Sequence, residues 1–68
     1  MPDMQVTINQ KPHVLAEGAT VADAVAVINP PPPFAVAVNL AFVPRTTYAS
    51  RTLAEGDAIE IIAPVTGG

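Results

Sequence analysis

The chain has 68 residues, of which half are apolar and 13% are charged, and its formal net charge is −3. This length allows one small domain, which buries only about 60% of the surface of its unfolded chain. Without a cysteine the chain has no disulfide, no thiolate metal site and no thiol nucleophile. Three cations cannot neutralise a run of phosphates, which argues against nucleic acid. Because no signal peptide or membrane-length apolar segment is visible, we expect a soluble cytoplasmic domain that does not contact a membrane.

The N-terminal segment predicts a β-hairpin. Residues 4–8 alternate apolar and polar side chains, which is the period of a strand with one buried face. Residues 9–12, Asn-Gln-Lys-Pro, are typical of a turn, because asparagine tolerates a left-handed backbone and proline offers no N–H to a sheet. Residues 13–16 then predict a short returning strand.

A short helix is predicted from Thr20 to the Asn29-Pro30 pair. The Thr20 hydroxyl can cap the helix, while Asp23, three residues later, can reach back to the capping residue. Four apolar residues recur at helical spacing and define the face that we expect to be buried: Val21, Ala24, Val25 and Ile28.

Three more strands are predicted after the proline run of residues 30–33. Residues 34–38 are apolar on both faces, residues 42–43 form a short strand after a turn at 39–41, and residues 58–62 are the strongest strand. A tight turn, Glu55-Gly56-Asp57, precedes the last of them. The order β-β-α-β-β-β predicts an α+β fold, one sheet covered by one helix. The residues expected to face the helix are Val6, Ile8, Leu15, Ile59 and Ile61.

The sequence offers little catalytic chemistry. The single histidine, His13, has no cysteine to activate, and the only serine, Ser50, lies far along the chain. No group of residues has the spacing of a metal site, and no glycine-rich loop follows a strand to bind phosphate. We therefore expect a protein that is not an enzyme, with no catalytic residue, no metal and no cofactor of its own.

The final Gly67-Gly68 pair is the most unusual feature of the sequence. Two residues without side chains would let a terminal carboxylate enter a narrow channel in another protein. A carboxylate is a weak electrophile, so it must be activated, for example by adenylation with ATP, before it can accept a group. The alternative is a frayed end without function, as most termini are.

The chain resembles, over nearly its whole length, the ThiS-type sulfur carriers of thiamin biosynthesis. The most specific block is residues 39–45, Asn-Leu-Ala-Phe-Val-Pro-Arg, and it is followed by Tyr48, by residues 53–62 and by Gly67-Gly68. Residues 18–21 also match the entry to the family's helix. The resemblance implies the ubiquitin-like β-grasp fold, with one mixed sheet packed on one helix. It also implies a domain over residues 1–63 and a flexible tail over residues 64–68.

In that family an E1-like enzyme uses ATP and magnesium to adenylate the C-terminal glycine, which would be Gly68 here. A persulfide from a cysteine desulfurase route then converts the adenylate to a thiocarboxylate, and thiazole synthase takes the sulfur. The resemblance places Gly67, Thr66 and Val65 in the partner's channel. We expect the free protein to be a monomer.

Two other functions remain open. Residues 64–68 are also similar to the tail of the molybdopterin-synthase small subunit, a sister carrier that is usually longer and generally lacks the block seen at residues 43–45. The other is a ubiquitin-like interaction module that binds through a sheet edge and whose tail has no role.

Three residues outside the tail invite interpretation. Alternation sends Ile62 to the open face of the sheet, where it could dock partners together with Val36 or Val38. Arg45 could bind an acidic rim on a partner or bond to carbonyls of its own loop. Tyr48 is expected to cover the open end of the core.

Overall fold

The computed structural model describes residues 2–63. Within them the chain forms five strands and one α-helix, with a single-turn 3₁₀ helix at Arg45–Thr47. The predicted order β-β-α-β-β-β is confirmed, and the fold is an α+β ubiquitin-like β-grasp with one mixed sheet packed on one helix. The elements are β1 (Asp3–Ile8), β2 (Lys11–Ala16), α1 (Val21–Ile28), β3 (Ala35–Val38), β4 (Ala41–Val43) and β5 (Ala58–Ile62).

The sheet has the strand order β2-β1-β5-β3-β4. Two antiparallel hairpins, β1–β2 and β3–β4, form its two halves. The last strand, β5, lies between them, parallel to β1 and antiparallel to β3. The C-terminal strand is therefore the central strand, and it joins two halves that have no direct strand pairing with each other.

Both hairpins are closed by two-residue turns that begin with asparagine. The backbone φ is positive at both positions of each turn, 52° and 71° at Asn9 and Gln10, and 51° and 69° at Asn39 and Leu40. Positive φ at both positions is the signature of the type I′ turn, whose twist matches that of the flanking strands. The turns are shorter than predicted, so β4 begins at residue 41 rather than 42.

Proline did not delay β2 as the sequence suggested. The strand begins at Lys11 rather than His13, and Pro12 lies opposite Thr7 in the ladder. The prediction was wrong because β2 is an edge strand, where a backbone nitrogen on the solvent side has no neighbouring strand to bond.

The core lies between one face of the sheet and α1. The five residues predicted to face the helix are all buried, which confirms the inward faces predicted from the alternation. In β5, Ile59 is fully buried and Ile61 is 8% exposed. Eight further apolar residues complete the core: Met4, Ala19, Val21, Ala24, Val36, Val38, Val43 and Leu53.

The helix begins as predicted. The Thr20 hydroxyl accepts from the Asp23 N–H at 3.4 Å, and the Asp23 carboxylate accepts from the Thr20 N–H at 2.8 Å, which completes a capping box. Asn29 ends the helix in the left-handed conformation. The predicted buried face was wrong at Ile28, which is 36% exposed because it lies in the last turn, beyond the residues that contact the core.

Candidate functional site

The candidate site is the end of the sheet at which β5 finishes, which we call the exit end. β5 ends at Ile62, and Ala63 is the last residue that the structure describes. The predicted carrier residue Gly68 and the predicted channel residues Gly67, Thr66 and Val65 lie outside the described residues. The structure describes β5, the strand that precedes these residues in the chain.

Two asparagine side chains hold β5 in place. The Asn9 Oδ1 accepts from the Ile61 N–H at 2.8 Å, and the Asn39 Oδ1 accepts from the Ala58 N–H at 3.0 Å. Each asparagine also donates its own backbone N–H to β5, at 2.9 Å to Ile59 O and at 2.8 Å to Ala58 O. The turn residues of both hairpins thus clamp the strand from its two sides. Sequence reasoning assigned these residues to turns but missed this second role.

The turn before β5 is fixed by its own carboxylates. The Asp57 carboxylate accepts from the Ala54 N–H at 2.8 Å and from the Asn39 side-chain amide at 2.9 Å. The Glu55 carboxylate accepts from the Gln5 N–H at 3.0 Å. Gly56 has a φ of +84°, which favours glycine. The prediction that the two acids form this turn is confirmed.

The open face of the sheet carries an apolar patch beside the exit. Ile62 is 56% exposed, as predicted, and lies opposite Ala35 in the neighbouring strand. In β3, Ala37 lies between Phe42 of β4, which is 70% exposed, and the half-buried Glu60 of β5. We call Ile62, Ala35, Ala37 and Phe42 the open-face patch.

The sequence suggested that Val36 or Val38 would share the open face with Ile62, and this prediction is wrong. Val36 and Val38 are each 1% exposed and belong to the core. The pairing of Ala35 with Ile62 sends these two residues outward and therefore sends Val36 inward, because successive side chains in a strand point to opposite faces. Phe42 is the residue that sequence reasoning missed. It lies opposite an outward alanine, a relation that depends on the register between β3 and β4.

Arg45 follows β4 at the exit end, and Tyr48 lies against the helix, since its carbonyl accepts from the Ala22 N–H at 3.0 Å. Arg45 is exposed, and within residues 2–63 its guanidinium donates no hydrogen bond to a carbonyl. The alternative that Arg45 bonds to carbonyls of its own loop therefore has no support in the described part of the chain. Arg51 behaves differently, since its guanidinium donates to the Thr52 carbonyl at 2.7 Å. Tyr48 is half-buried and packs against the core, which confirms its predicted covering role.

The described part of the chain contains little else that could do chemistry. Among its histidine, aspartate and glutamate residues, no group of three lies close enough to hold a metal ion. His13 is half-exposed in β2, opposite Val6. No helix within residues 2–63 has the length and hydrophobicity needed to span a membrane.

Comparisons with known proteins give a consistent result. The sequence pattern that describes the ThiS family matches residues 4–68. The structure is similar to that of a thiamine biosynthesis protein (ThiS) from Geobacter metallireducens, with a TM-score of 0.79 and 26% sequence identity. That superposition covers 96% of this chain and 100% of the other. No curated protein sequence matches this chain significantly.

Proposed function

Because the chain belongs to the ThiS family, we propose that it is a sulfur carrier of thiamine biosynthesis and that Gly68 carries the sulfur atom. The observation that best supports this proposal is the position of β5. The strand is held on both sides by backbone pairing and by two asparagine side chains, and it ends shortly before Gly67-Gly68. A firmly held strand is a suitable base for a terminus that must be presented to another protein.

The proposed chemistry takes place on the carboxyl group of Gly68. Its oxygen attacks the α-phosphorus of ATP in an E1-like enzyme, which binds the magnesium, and pyrophosphate leaves. The terminal sulfur of a persulfide, supplied through a cysteine desulfurase, attacks the acyl carbon and displaces AMP. A thiol then reduces the remaining S–S bond, leaving the thiocarboxylate that thiazole synthase consumes. Gly67, Thr66 and Val65 occupy the channel of the partner. In this scheme the protein is a substrate of its partners and not an enzyme.

The carrier proposal is tested by intact mass. Incubation with the adenylating enzyme, ATP, magnesium, a persulfide donor and a thiol reductant should raise the mass by the difference between one sulfur and one oxygen atom. A variant that lacks Gly68 should fold and remain unchanged in mass, because the assigned carboxyl group is removed. Sulfur uptake by that folded variant would refute the assignment to Gly68. A stable complex with molybdopterin-synthase large subunit, rather than with thiazole synthase, would favour the sister pathway.

The open-face patch is the proposed docking surface for these partners. Exposed apolar side chains gathered on one face commonly mark protein interaction sites. In this chain Ile62 and Phe42 lie on the face opposite the helix, and Ile62 is the last strand residue before the tail. A partner that contacts this patch would be adjacent to the proposed reactive terminus.

Replacement of Ile62 by alanine should weaken binding to the adenylating enzyme by about 1 kcal/mol or more, since apolar contact area is lost. Val14→Ala is the matched control, because Val14 is 66% exposed on the same face but in the edge strand β2. Calorimetric titration of the enzyme with each variant provides the measurement. Equal affinities for the two variants would remove Ile62 from the docking surface.

A further inference from the structure

A small recess lies beside the point where β5 leaves the sheet. Its volume is about 310 Å³. The rings of Phe34 and Tyr48 stack in it with their centroids 6.4 Å apart and their planes 18° from parallel. The recess, which we call the exit slot, thus combines apolar walls with one cation, and it is lined by Pro32, Pro33, Phe34, Arg45 and Tyr48.

The strand registers place the exit slot next to the end of β5. Ala35 lies opposite Ile62, so Phe34, one residue earlier, lies just beyond this pair at the exit end. Val43 lies opposite Val36, so Arg45, two residues later, is at the same end of the sheet. A protein that binds beside the end of β5 must therefore approach the exit slot.

Charge is distributed unevenly between the two ends of the sheet. Lys11 lies beside the turn whose Asn9 bonds to Ile61, so two of the three cations, Lys11 and Arg45, are at the exit end. Five of the six acidic residues are at the opposite end, at the start of β1, after β2, in the first helical turn and before β5. They are Asp3, Glu17, Asp23, Glu55 and Asp57.

We propose that the exit slot docks an acidic segment of the adenylating enzyme, one that presents an apolar side chain next to a carboxylate. This inference rests on the proposed function, since it assumes an enzyme that receives the tail. The apolar side chain packs against Phe34, Tyr48 and the prolines, and the carboxylate pairs with the exposed guanidinium of Arg45. The acids at the opposite end repel such a segment, so the charge distribution favours an encounter with the exit end first.

Steady-state ATP–pyrophosphate exchange by the purified adenylating enzyme tests the docking, with the full-length carrier as the varied substrate. We expect Arg45→Gln to raise the KM for the carrier by about tenfold with kcat unchanged, and Arg45→Glu to raise it further. The increase of KM with salt should be weaker in Arg45→Gln than in the wild type, because one screened ion pair is gone. Arg51→Gln and Arg51→Glu are the matched controls, because they make the same change in charge at a different place, beside the helix N-terminus. They should leave KM unchanged.

The possible results separate this inference from the proposed function. If the wild type is adenylated and Arg45→Glu has the same KM as Arg51→Glu, the slot assignment is overturned while the carrier function stands. If the wild type supports no exchange, the proposed function fails. The adenylating enzyme is then also excluded as the protein that binds the exit slot. A third result would assign the slot to the protein's own tail. In that case NMR of the free protein would show Arg45→Gln shifting the Gly68 amide signal, and removal of residues 64–68 shifting those of Phe34 and Tyr48.

Discussion

At the residue scale, Asn39 does more than the turn that its sequence context predicts. Its positive φ closes the β3–β4 hairpin, while its side chain links the Asp57 carboxylate to the first residue of β5. Two of the sequence blocks that carry the family resemblance are residues 39–45, which begin with Asn39, and residues 53–62, which contain Asp57. Their pairing explains why a turn residue and an acid 18 positions apart belong to the same pattern.

Replacement of Asn39 by glycine should lower the free energy of unfolding by about 1–3 kcal/mol, because a charge-assisted hydrogen bond and a bond to the backbone are lost. Glycine keeps the positive φ without strain, so the change reports on the side chain alone. Asn29→Gly is the matched control, since Asn29 also has positive φ and ends the helix. Urea denaturation of both variants measures the difference. Equal stabilities would show that the side-chain bonds of Asn39 contribute nothing.

At the scale of single elements, α1 depends on its first turn. The helix has eight residues, four of them valine or isoleucine, which are mediocre helix formers, so tertiary packing and the capping box must stabilise it. Its N-terminus is also tied to the loop before β5, through the Thr20–Thr52 bridge and the bond from the Val21 N–H to the Arg51 carbonyl. The start of the helix therefore anchors both itself and the irregular segment after β4.

Thr20→Ala should destabilise the protein by about 1 kcal/mol, the usual cost of removing a capping hydroxyl. Thr20→Ser should restore most of the loss, because serine keeps the acceptor that bonds to the Asp23 N–H. Thr46→Ala, at an exposed position in the 3₁₀ helix, is the control and should change stability by less than about 0.5 kcal/mol. Thermal unfolding followed by circular dichroism compares the three; an alanine variant at Thr20 as stable as the wild type would argue against the capping box.

At the scale of the whole molecule, one face of β5 packs in the core and the other is exposed on the open face of the sheet. Ile59 is fully buried between the sheet and the helix, whereas Ile62 is 56% exposed at the exit end. A domain of this length buries a limited core, so it has little stability to lose. The same strand thus supplies the centre of the core and the edge of the proposed docking surface.

Ile59→Ala should cost about 2–5 kcal/mol, which is a large part of the stability of so small a domain. Ile62→Ala, the same substitution on the other face, should change stability by less than about 0.5 kcal/mol while weakening partner binding. Equilibrium unfolding in urea distinguishes the two. A strongly destabilised Ile62→Ala variant would mean that its side chain is packed, which would contradict the docking role.

Much of the fold could be predicted from residue patterns. Alternation identified the inward residues of β1, β2 and β5, and the spacing of Thr20 and Asp23 identified the capping box, because both depend on neighbours close in the sequence. The placement of Val36 or Val38 on the open face was wrong, because both faces of that strand are apolar in the sequence. The start of β2 and the exposure of Ile28 were also mispredicted. They depend on which strand is at the edge and on where the helix passes beyond the sheet.

The sequence by itself therefore determined the element order, the buried faces of β1, β2 and β5 and the family, since these follow from local periodicity and from short blocks of residues. Only the tertiary structure decided that the last strand lies at the centre of the sheet, clamped by Asn9 and Asn39. The same holds for Phe42, which joins Ile62 on the open face, and for Phe34, Arg45 and Tyr48, which meet beside the exit. These relations join residues far apart in the chain, and strand register, which fixes them, is a property of paired strands rather than of any one segment.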